Sequence, residues 1–284
     1  MVQVDDFLYG KMQFSQVFLD LLNTEALIRL AGIHQSGAVF LVNPGICHSR
    51  LEHSKGVMML IKYLGGTELE QIAGLLHDVS HTAFSHVGDY VFNNTDENYH
   101  EQIFEEFLLK SDIPQVLINH GYHIDEIIFG DFKILEQPLP LLCADRLDYT
   151  LRDAIHGGII SRQRAKIFLN DITLKNGVIA VNSENEVEWI NETFVKLNNE
   201  LFRLPINLYA NGKMAEIIRD FMDKNILSKD DMLKTDTMLL NKIRSTIDGY
   251  EAIKAIKQLK GFAEFMRHGA VPKIKARVLK AFIT

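Results

Sequence analysis

Residues 73–86 read AGLLHDVSHTAFSH, an apolar run followed by three histidines and one aspartate. At the centre of this stretch, His77 and Asp78 are adjacent. Histidine binds metals through a neutral imidazole nitrogen, and a neighbouring aspartate adds an anionic oxygen, so the pair can ligate one ion. An isolated His-Asp pair is more often a buried histidine whose ring nitrogens are satisfied by a carboxylate or a carbonyl. The surrounding sequence therefore decides between a metal site and a buried histidine of this ordinary kind.

Histidines concentrate around this pair. Of the 11 histidines in the chain, the others in the same region are His48, His53, His81, His86 and His100. Residues 43–54, NPGICHSRLEHS, begin with a Pro-Gly turn and lead into apolar positions at helical spacing. This pattern predicts that His53 lies in the first turn of a helix, where it is available as a third ligand.

A fourth ligand is available in residues 141–153, LLCADRLDYTLRD. Asp145, Asp148 and Tyr149 recur at i, i+3 and i+4, which places them on one face of a helix. Asp145 follows an apolar run, where a buried carboxylate needs a cation. From this stretch alone, that cation is equally well a metal or an arginine, Arg146 or Arg152.

Together these strings resemble the HD-domain metal-dependent phosphohydrolase superfamily, and within it the deoxynucleoside triphosphate triphosphohydrolase-like branch. Four motifs of that branch occur in order: a Pro-Gly turn with His-x-Arg-x-x-His-Ser at 44–54, a His-Asp motif ending in Phe-Ser-His at 77–86, His-Glu at 100–101, and Asp-Arg-x-Asp-Tyr-x-x-Arg-Asp at 145–153. The likeness covers most of residues 35–245. Ser80 and Thr82-Ala83 stand where the family usually has Gly and Gly-Pro, so we expect the turn after Asp78 to differ.

The resemblance implies a mononuclear metal centre held by His53, His77, Asp78 and Asp145. Two imidazoles and two carboxylates do not select one divalent ion among Mn, Fe, Ni, Mg and Zn. By the same resemblance, the catalytic residues are His100 as general acid, Glu101, which orients it, His81 and Asp89. The residues implied in substrate binding are Arg50, His86 and Arg146 at the phosphates, Tyr149 against the sugar, and Asp153, which accepts a hydrogen bond from the 3'-hydroxyl.

Apolar spacing predicts a mainly α chain, which the resemblance specifies as an HD-domain helical bundle. The exception is residues 172–181, ITLKNGVIAV, two alternating strands around an Asn-Gly turn. A third strand at 187–190 would extend this hairpin to a three-stranded appendage near residues 171–190. We expect a helical core with the metal site at 1–170 and a hairpin and helical extension at 171–284, packed as one continuous unit.

The formal charge of −7 argues against strong nucleic-acid binding, which depends on clustered Lys and Arg. A nucleotide substrate remains compatible if arginines and a metal converge on it. Two cysteines give no disulfide framework and the amino terminus lacks a signal pattern, so we expect a cytoplasmic protein. No apolar run approaches the roughly 20 residues that cross a bilayer, so no membrane partner is expected. The apolar helices and the family resemblance predict a homo-oligomer, a dimer or higher.

Three functions fit these observations. We prefer metal-dependent hydrolysis of a deoxynucleoside triphosphate (dNTP) to deoxynucleoside and inorganic triphosphate. The same ligands permit a nucleotide phosphatase or phosphodiesterase of other specificity. A non-catalytic nucleotide sensor that kept the pocket is the third alternative, and the His100-Glu101 pair disfavours it because a binding module needs no general acid.

Overall fold

The computed structural model describes residues 1–268 and 279–281, so residues 269–278 and 282–284 of the predicted extension lie outside the described residues. The prediction of a mainly α fold is confirmed. Two hairpins pair β1 Val2–Asp6 with β2 Gly10–Phe14, and β3 Ile172–Lys175 with β4 Val178–Val181. The helices before residue 130 are α1 Gln16–Leu22, α2 Glu25–Leu30, the 3₁₀ helix η1 Gly37–Leu41, α3 Arg50–Tyr63, α4 Glu68–Leu76, α5 Val87–Val91, α6 Tyr99–Gln102, α7 Phe104–Lys110, α8 Ile113–Asn119 and α9 Ile124–Ile128. Those after it are α10 Ala144–His156, α11 Arg162–Leu169, α12 Glu184–Leu197, the π-helical turn η2 Asn198–Phe202, α13 Pro205–Asp223, α14 Lys229–Met232, α15 Asp236–Arg244, α16 Ile247–Lys257 and α17 Phe262–His268.

Helices α3, α4 and α10 form the centre of the main hydrophobic cluster. Helix α3 begins after Ser49 because the Ser49 hydroxyl accepts a hydrogen bond from the Glu52 N–H, and the Glu52 carboxylate accepts one from the Ser49 N–H at 2.8 Å. Gly74 of α4 lies so close to α3 that an added Cβ would be 2.5 Å from Ile61 Cδ1. This close packing sets the carboxyl end of α4, where His77 follows.

A buried ion network joins α3 to α10. Both Asp148 oxygens accept hydrogen bonds from Arg152, each at 2.9 Å, and Asp148 Oδ2 also accepts one from His53 Nδ1 at 2.8 Å. A Cβ on Gly56 of α3 would be 2.0 Å from Arg152 Nη2 and 2.2 Å from Asp148 Oδ1. Glycine is therefore required at position 56 for the two helices to approach around this network.

The amino-terminal hairpin β1–β2 was not anticipated from the sequence. Its turn is closed by Asp6, whose Oδ1 accepts hydrogen bonds from the N–H groups of Leu8 at 2.8 Å and Tyr9 at 3.1 Å. The other Asp6 oxygen accepts a hydrogen bond from Arg152 Nη1 at 3.0 Å. The hairpin thus supplies a second carboxylate to the buried arginine.

The predicted hairpin at 172–181 is confirmed, but the third strand is wrong. Residues 187–190 lie inside α12, which runs from Glu184 to Leu197. Ile190, Phe194 and Leu197 recur at helical spacing and are buried, so the helical period outweighs the short apolar run at 187–190. Hairpin β3–β4 and α12 belong to the same hydrophobic cluster as α3 and α10.

A second hydrophobic cluster contains η1, α5, α13 and the helices after it. The fully buried Asp236 connects this second cluster to the loop that follows Asp78. Its Oδ2 accepts hydrogen bonds from the His34 N–H at 2.9 Å and from His34 Nδ1 at 2.7 Å, and its Oδ1 accepts one from the Phe84 N–H at 2.6 Å. Among the described residues, no helix has both the length and the hydropathy needed to cross a bilayer.

We expect Asp236→Ala to lower the free energy of unfolding by about 3 kcal/mol, because it leaves the buried Phe84 N–H and the partly buried His34 N–H without an acceptor. Urea denaturation monitored by circular dichroism measures this loss. Asp248→Ala, at the exposed amino end of α16, is the matched control and is expected to cost about 0.5 kcal/mol. Equal losses in the two variants would contradict the linking role of Asp236.

Candidate metal centre

The structure brings the four predicted ligands together where α3, α4 and α10 meet. His53 lies in the first turn of α3, His77 follows the last residue of α4, and Asp78 comes next. Asp145 is the second residue of α10. Each ligand is therefore fixed at a helix end within the packed core.

Both imidazoles face both carboxylates. His53 Nε2 lies 3.0 Å from Asp145 Oδ1 and 3.6 Å from Asp78 Oδ2. His77 Nε2 lies 3.4 Å from the same Asp145 oxygen and 3.5 Å from Asp78 Oδ1. Ligand atoms bound to one ion at about 2.1 Å lie about 3 Å from one another, so this cluster is close to the spacing that a single cation needs.

The remaining ring nitrogen of each histidine is anchored by the protein. His77 Nδ1 donates to the Gly74 carbonyl at 2.9 Å, which leaves a lone pair on Nε2, and this buried Nε2 has no hydrogen-bond partner among the described residues. His53 Nδ1 donates to Asp148 at 2.8 Å. Such outer contacts fix the tautomer and the ring orientation of metal-binding histidines. The donor set therefore fits a divalent cation.

The charges of the cluster also favour a cation. Burial disfavours the charged form of His53, but hydrogen bonds to Asp145 and Asp148 and the nearby Asp78 charge outweigh it and raise its pKa to about 10. The pKa of His77 is also raised, by Asp78 and Asp145 against burial. The carboxylates thus favour a positive charge between them, and a metal ion bound to the same atoms would supply it.

A cavity of about 650 Å³ opens onto this cluster. Its walls include His77, Asp78 and Asp145 together with residues of η1, α6, α10 and α13. Eight carboxylate residues line it: Asp78, Asp96, Glu97, Glu101, Asp131, Glu136, Asp145 and Asp153. A cavity of this size accommodates a small molecule such as a nucleotide.

A family model described as the HD domain matches residues 50–153, the segment that carries all four predicted ligands. The uncharacterized protein YdhJ of Bacillus subtilis is 44% identical over 247 residues, which is 86% of this chain and 76% of YdhJ. The chain belongs to the HD-domain metal-dependent phosphohydrolase superfamily.

Two further relatives of this chain have names that state an activity. The metal-dependent phosphohydrolase cns2 of Cordyceps militaris is 39% identical over 171 residues, which is 58% of this chain and 48% of cns2. The deoxynucleoside triphosphate triphosphohydrolase SAMHD1 of Danio rerio is 32% identical over 165 residues, which is 50% of this chain and only 26% of that enzyme. A crystal structure of a hypothetical protein from Aquifex aeolicus superimposes with a TM-score of 0.72 at 22% identity, over 91% of this chain and 76% of the other, and shows the same fold.

The chain carries a second group of histidines next to the predicted ligands. The His81 and His100 rings stack at 3.9 Å, and the His86 ring meets them edge-on at 5.0 and 5.6 Å. His81 Nε2 and His100 Nδ1 are buried and lack hydrogen-bond partners in the described chain, whereas His86 Nδ1 contacts Asp89 at 2.9 Å. The structure therefore brings together four of the residues predicted for catalysis or substrate contact.

Ser80 stands where the family usually has glycine, and its backbone does not adopt the positive φ that favours glycine. Among the described residues, those with positive φ in this turn are Phe84 and Ser85, not Ser80. The Ser80 hydroxyl donates to the His100 carbonyl at 2.8 Å, so it ties the His100 segment to the ligand loop. Arg29, which belongs to α2, donates to two carbonyls of this turn, those of Val79 at 2.6 Å and His81 at 2.9 Å.

Arg50, predicted to hold phosphate, contacts Asp78. Its Nη1 lies 2.5 Å from Asp78 Oδ2, and its Nε donates to the Ser85 hydroxyl at 2.9 Å. Arg50 lines the cavity, but its guanidinium orients a predicted ligand. Phosphate binding would have to share it with Asp78.

Arg146, also predicted to contact substrate, is held by the loop before α10. Its Nη1 donates to the carbonyls of Gln137 at 3.1 Å and Leu141 at 2.5 Å, and its Nη2 lies 3.3 Å from Glu136 Oε1. Arg146 still lines the cavity, as do the predicted residues Glu101, Tyr149 and Asp153. Arg152 is fully buried in the network with Asp148 and takes no part in the cavity wall.

Sequence reasoning missed three residues that shape the site. Asp148 was noted only for its spacing, yet it anchors His53. Arg29 carries no motif signal, because its role is to donate to main-chain carbonyls far along the chain. Glu136 lines the cavity with a side chain that is 61% exposed, and partial desolvation by the cavity walls together with the Asp145 charge raises its pKa.

Two other groupings of ligand-type residues adjoin the centre. Glu136, Cys143 and Asp145 form one, but burial raises the pKa of the Cys143 thiol, which disfavours the thiolate that binds metal. Asp78, His81 and His100 form the other. In the set His53, His77, Asp78 and Asp145, both histidines are anchored through their other ring nitrogen. This set is therefore the predicted metal site.

We expect His77→Ala and Asp145→Asn each to lose the bound divalent metal, because each removes one of four ligands. Metal content after dialysis against Mn²⁺, measured by inductively coupled plasma mass spectrometry, checks this. Glu136→Gln is the matched control, a cavity carboxylate outside the set, and should retain the metal. Loss of metal in Glu136→Gln, or its retention in Asp145→Asn, would contradict the assignment.

Proposed function

We propose that the protein hydrolyses a deoxynucleoside triphosphate to deoxynucleoside and inorganic triphosphate, using one divalent metal ion. Water adds to the α-phosphorus, the bond from phosphorus to the 5'-oxygen breaks, and the leaving oxygen takes a proton. Membership of the superfamily supports the phosphohydrolase class. The likeness to SAMHD1 over half of the chain supports the triphosphohydrolase reaction.

The observation that carries this proposal is the group of His81, His86 and His100 in contact with the ligand Asp78. His81 Nε2 lies 3.3 Å from Asp78 Oδ1, so the group begins at the edge of the metal centre. It offers hydrogen-bonding nitrogens and a proton source next to the proposed metal centre. A site that only binds nucleotide has no need of this second group.

The residues that would hold the ion are His53, His77, Asp78 and Asp145. When bound, a divalent ion supplies Lewis acidity towards a phosphoryl oxygen and lowers the pKa of water. The protein orients these ligands through Asp148 and the Gly74 carbonyl.

The proton for the leaving oxygen is better assigned to His86 with Asp89 than to His100. Burial lowers the pKa of His100 to about 3, so this imidazole is neutral at neutral pH. His86 is one-third exposed, at 33%, and its Nδ1 lies 2.9 Å from the Asp89 carboxylate, so the ring is oriented by a carboxylate and remains accessible. Neutral His81 and His100 are suited to hydrogen bonds with phosphate oxygens.

A second candidate is hydrolysis of a nucleotide with fewer phosphates, and the charge of the cavity favours it. Eight carboxylate residues line the walls, while no lysine among the described residues does. The two lining arginines, Arg50 and Arg146, already contact carboxylates and carbonyls. A triphosphate would therefore have to enter with its own cations, whereas a monophosphate or a diester brings less negative charge.

The deciding experiment incubates metal-stripped protein with each deoxynucleoside triphosphate, and with nucleoside monophosphates and diesters, plus Mn, Mg, Fe, Ni or Co. Anion-exchange chromatography separates the products. Deoxynucleoside with intact triphosphate supports the first proposal. Orthophosphate or a monophosphate as the product supports the second, and tight binding without turnover would leave a nucleotide sensor.

We expect His86→Gln and His100→Gln both to retain metal and to lower kcat by about a hundredfold. Their pH profiles should differ. A general acid must be protonated, so kcat/KM falls as the pH rises through the pKa of that acid. This fall at alkaline pH, the alkaline limb of the profile, should vanish in His86→Gln and persist in His100→Gln. His120→Gln, which alters a His–Asp pair outside the cavity, is the control. Disappearance of the limb in His100→Gln alone would return the role to His100.

A further inference from the structure

Asp153 lines the cavity, but a histidine behind it holds its carboxylate. His48 Nε2 lies 2.6 Å from Asp153 Oδ1, and the two side chains are 0% and 4% exposed. Among the described residues, His48 is not part of the cavity wall. The contact is therefore separate from the metal ligands and from the group of His81, His86 and His100.

The hydrogen-bond roles in this pair follow from the other ring nitrogen. His48 Nδ1 is buried and has no hydrogen-bond partner in residues 1–268 and 279–281. A proton on Nδ1 would be a buried donor without an acceptor, which is unfavourable. The Nε2 N–H of His48 is therefore the donor in this contact, and the Asp153 carboxylate is the acceptor.

His48 is itself held rigidly. Its carbonyl accepts a hydrogen bond from the Gln35 N–H at 2.9 Å, and the next residue, Ser49, bridges His34. Its ring stacks on His156 at 4.3 Å with 12° between the planes. Phe7 of the amino-terminal hairpin packs edge-on against His156 at 5.5 Å. The position of Asp153 is therefore determined by a fixed donor.

Asp153 lies in line with the metal centre along α10. Asp145, Tyr149 and Asp153 are spaced at i, i+4 and i+8, and all three line the cavity. The helical rise of 1.5 Å per residue separates Asp145 from Asp153 by about 12 Å, within the length of a nucleotide. A carboxylate accepts hydrogen bonds only, so the group it recognises must be a donor, and a sugar hydroxyl is the donor that a nucleotide offers next to its phosphate.

We propose that His48 is a positioning residue that orients Asp153 to accept a hydrogen bond from a sugar hydroxyl of the substrate. This inference rests on the proposed function, because it takes the substrate to be a nucleotide. His48 acts through Asp153 and touches neither the substrate nor the metal. Its effect is on discrimination between substrates with and without the hydroxyl.

The test compares kcat/KM for a deoxynucleoside triphosphate and for its 2',3'-dideoxy analogue in the wild type, His48→Leu and His48→Gln. The glutamine amide nitrogen stands in the place of Nε2 and keeps a donor for Asp153, whereas leucine has none. We expect the ratio of the two kcat/KM values to fall about tenfold in His48→Leu and to stay within about twofold in His48→Gln. Asp153→Asn should lower the ratio as well, and the double variant should lower it no further.

The dideoxy substrate is the internal control, since a loosened fold or a lost metal lowers turnover of both substrates equally. If His48→Leu does not fold, His48→Asn replaces it, because an asparagine amide stands in the place of Nδ1 and does not reach Asp153. An unchanged ratio in a folded, metal-loaded variant without the donor would overturn the proposal. A wild-type ratio near one would overturn it too, while the proposed function would stand. Absence of all nucleotide turnover by the wild type would instead overturn the proposed function, and this inference with it.

Discussion

The buried carboxylate of Asp148 is the constraint on which the site depends. It accepts hydrogen bonds from Arg152 on its own helix and from His53 on α3. Because a buried charge is tolerated only when it is paired and hydrogen-bonded, these partners fix the relative position of α3 and α10. One end of the His53 ring is thereby anchored, and the other points at Asp145 and Asp78. The same interaction thus packs α3 against α10 and orients a predicted metal ligand.

Much of the site could be predicted from the sequence because its chemistry lies in short strings. His77 and Asp78 are adjacent, His53 follows a capped helix start, and Asp145 opens another helix, so local pattern and family resemblance found all of them. The helical class followed from apolar spacing, and the Asn-Gly turn identified β3–β4. Each of these signals is contained within about 15 residues of chain, where periodicity and turn chemistry operate.

What could not be predicted depends on contacts between distant residues. Asp6 pairs with Arg152 across 146 positions, and nothing in residues 1–14 indicates that partner. Arg50 and Arg146, which the motif assigns to phosphate, line the cavity as predicted residues, but their contacts with a carboxylate and with main-chain carbonyls were not predicted. A sequence specifies that an arginine is present, but the acceptors nearest to it depend on tertiary packing. The excess of cavity carboxylates has the same origin, since its eight residues come from separate helices and loops between positions 78 and 153.

The carboxylate of Asp236 binds the Phe84 N–H from 152 positions away, and the Ala83 N–H donates to the Met232 carbonyl at 2.7 Å. The loop that follows the His-Asp motif thus gains its shape from helices beyond the segment that defines the family. During synthesis, residues 50–153 leave the ribosome before those partners exist, so the loop completes its hydrogen bonds only after α15 has emerged. The segment matched by the family model therefore carries the predicted ligands, but its loop after Asp78 depends on Met232 and Asp236 for two backbone hydrogen bonds.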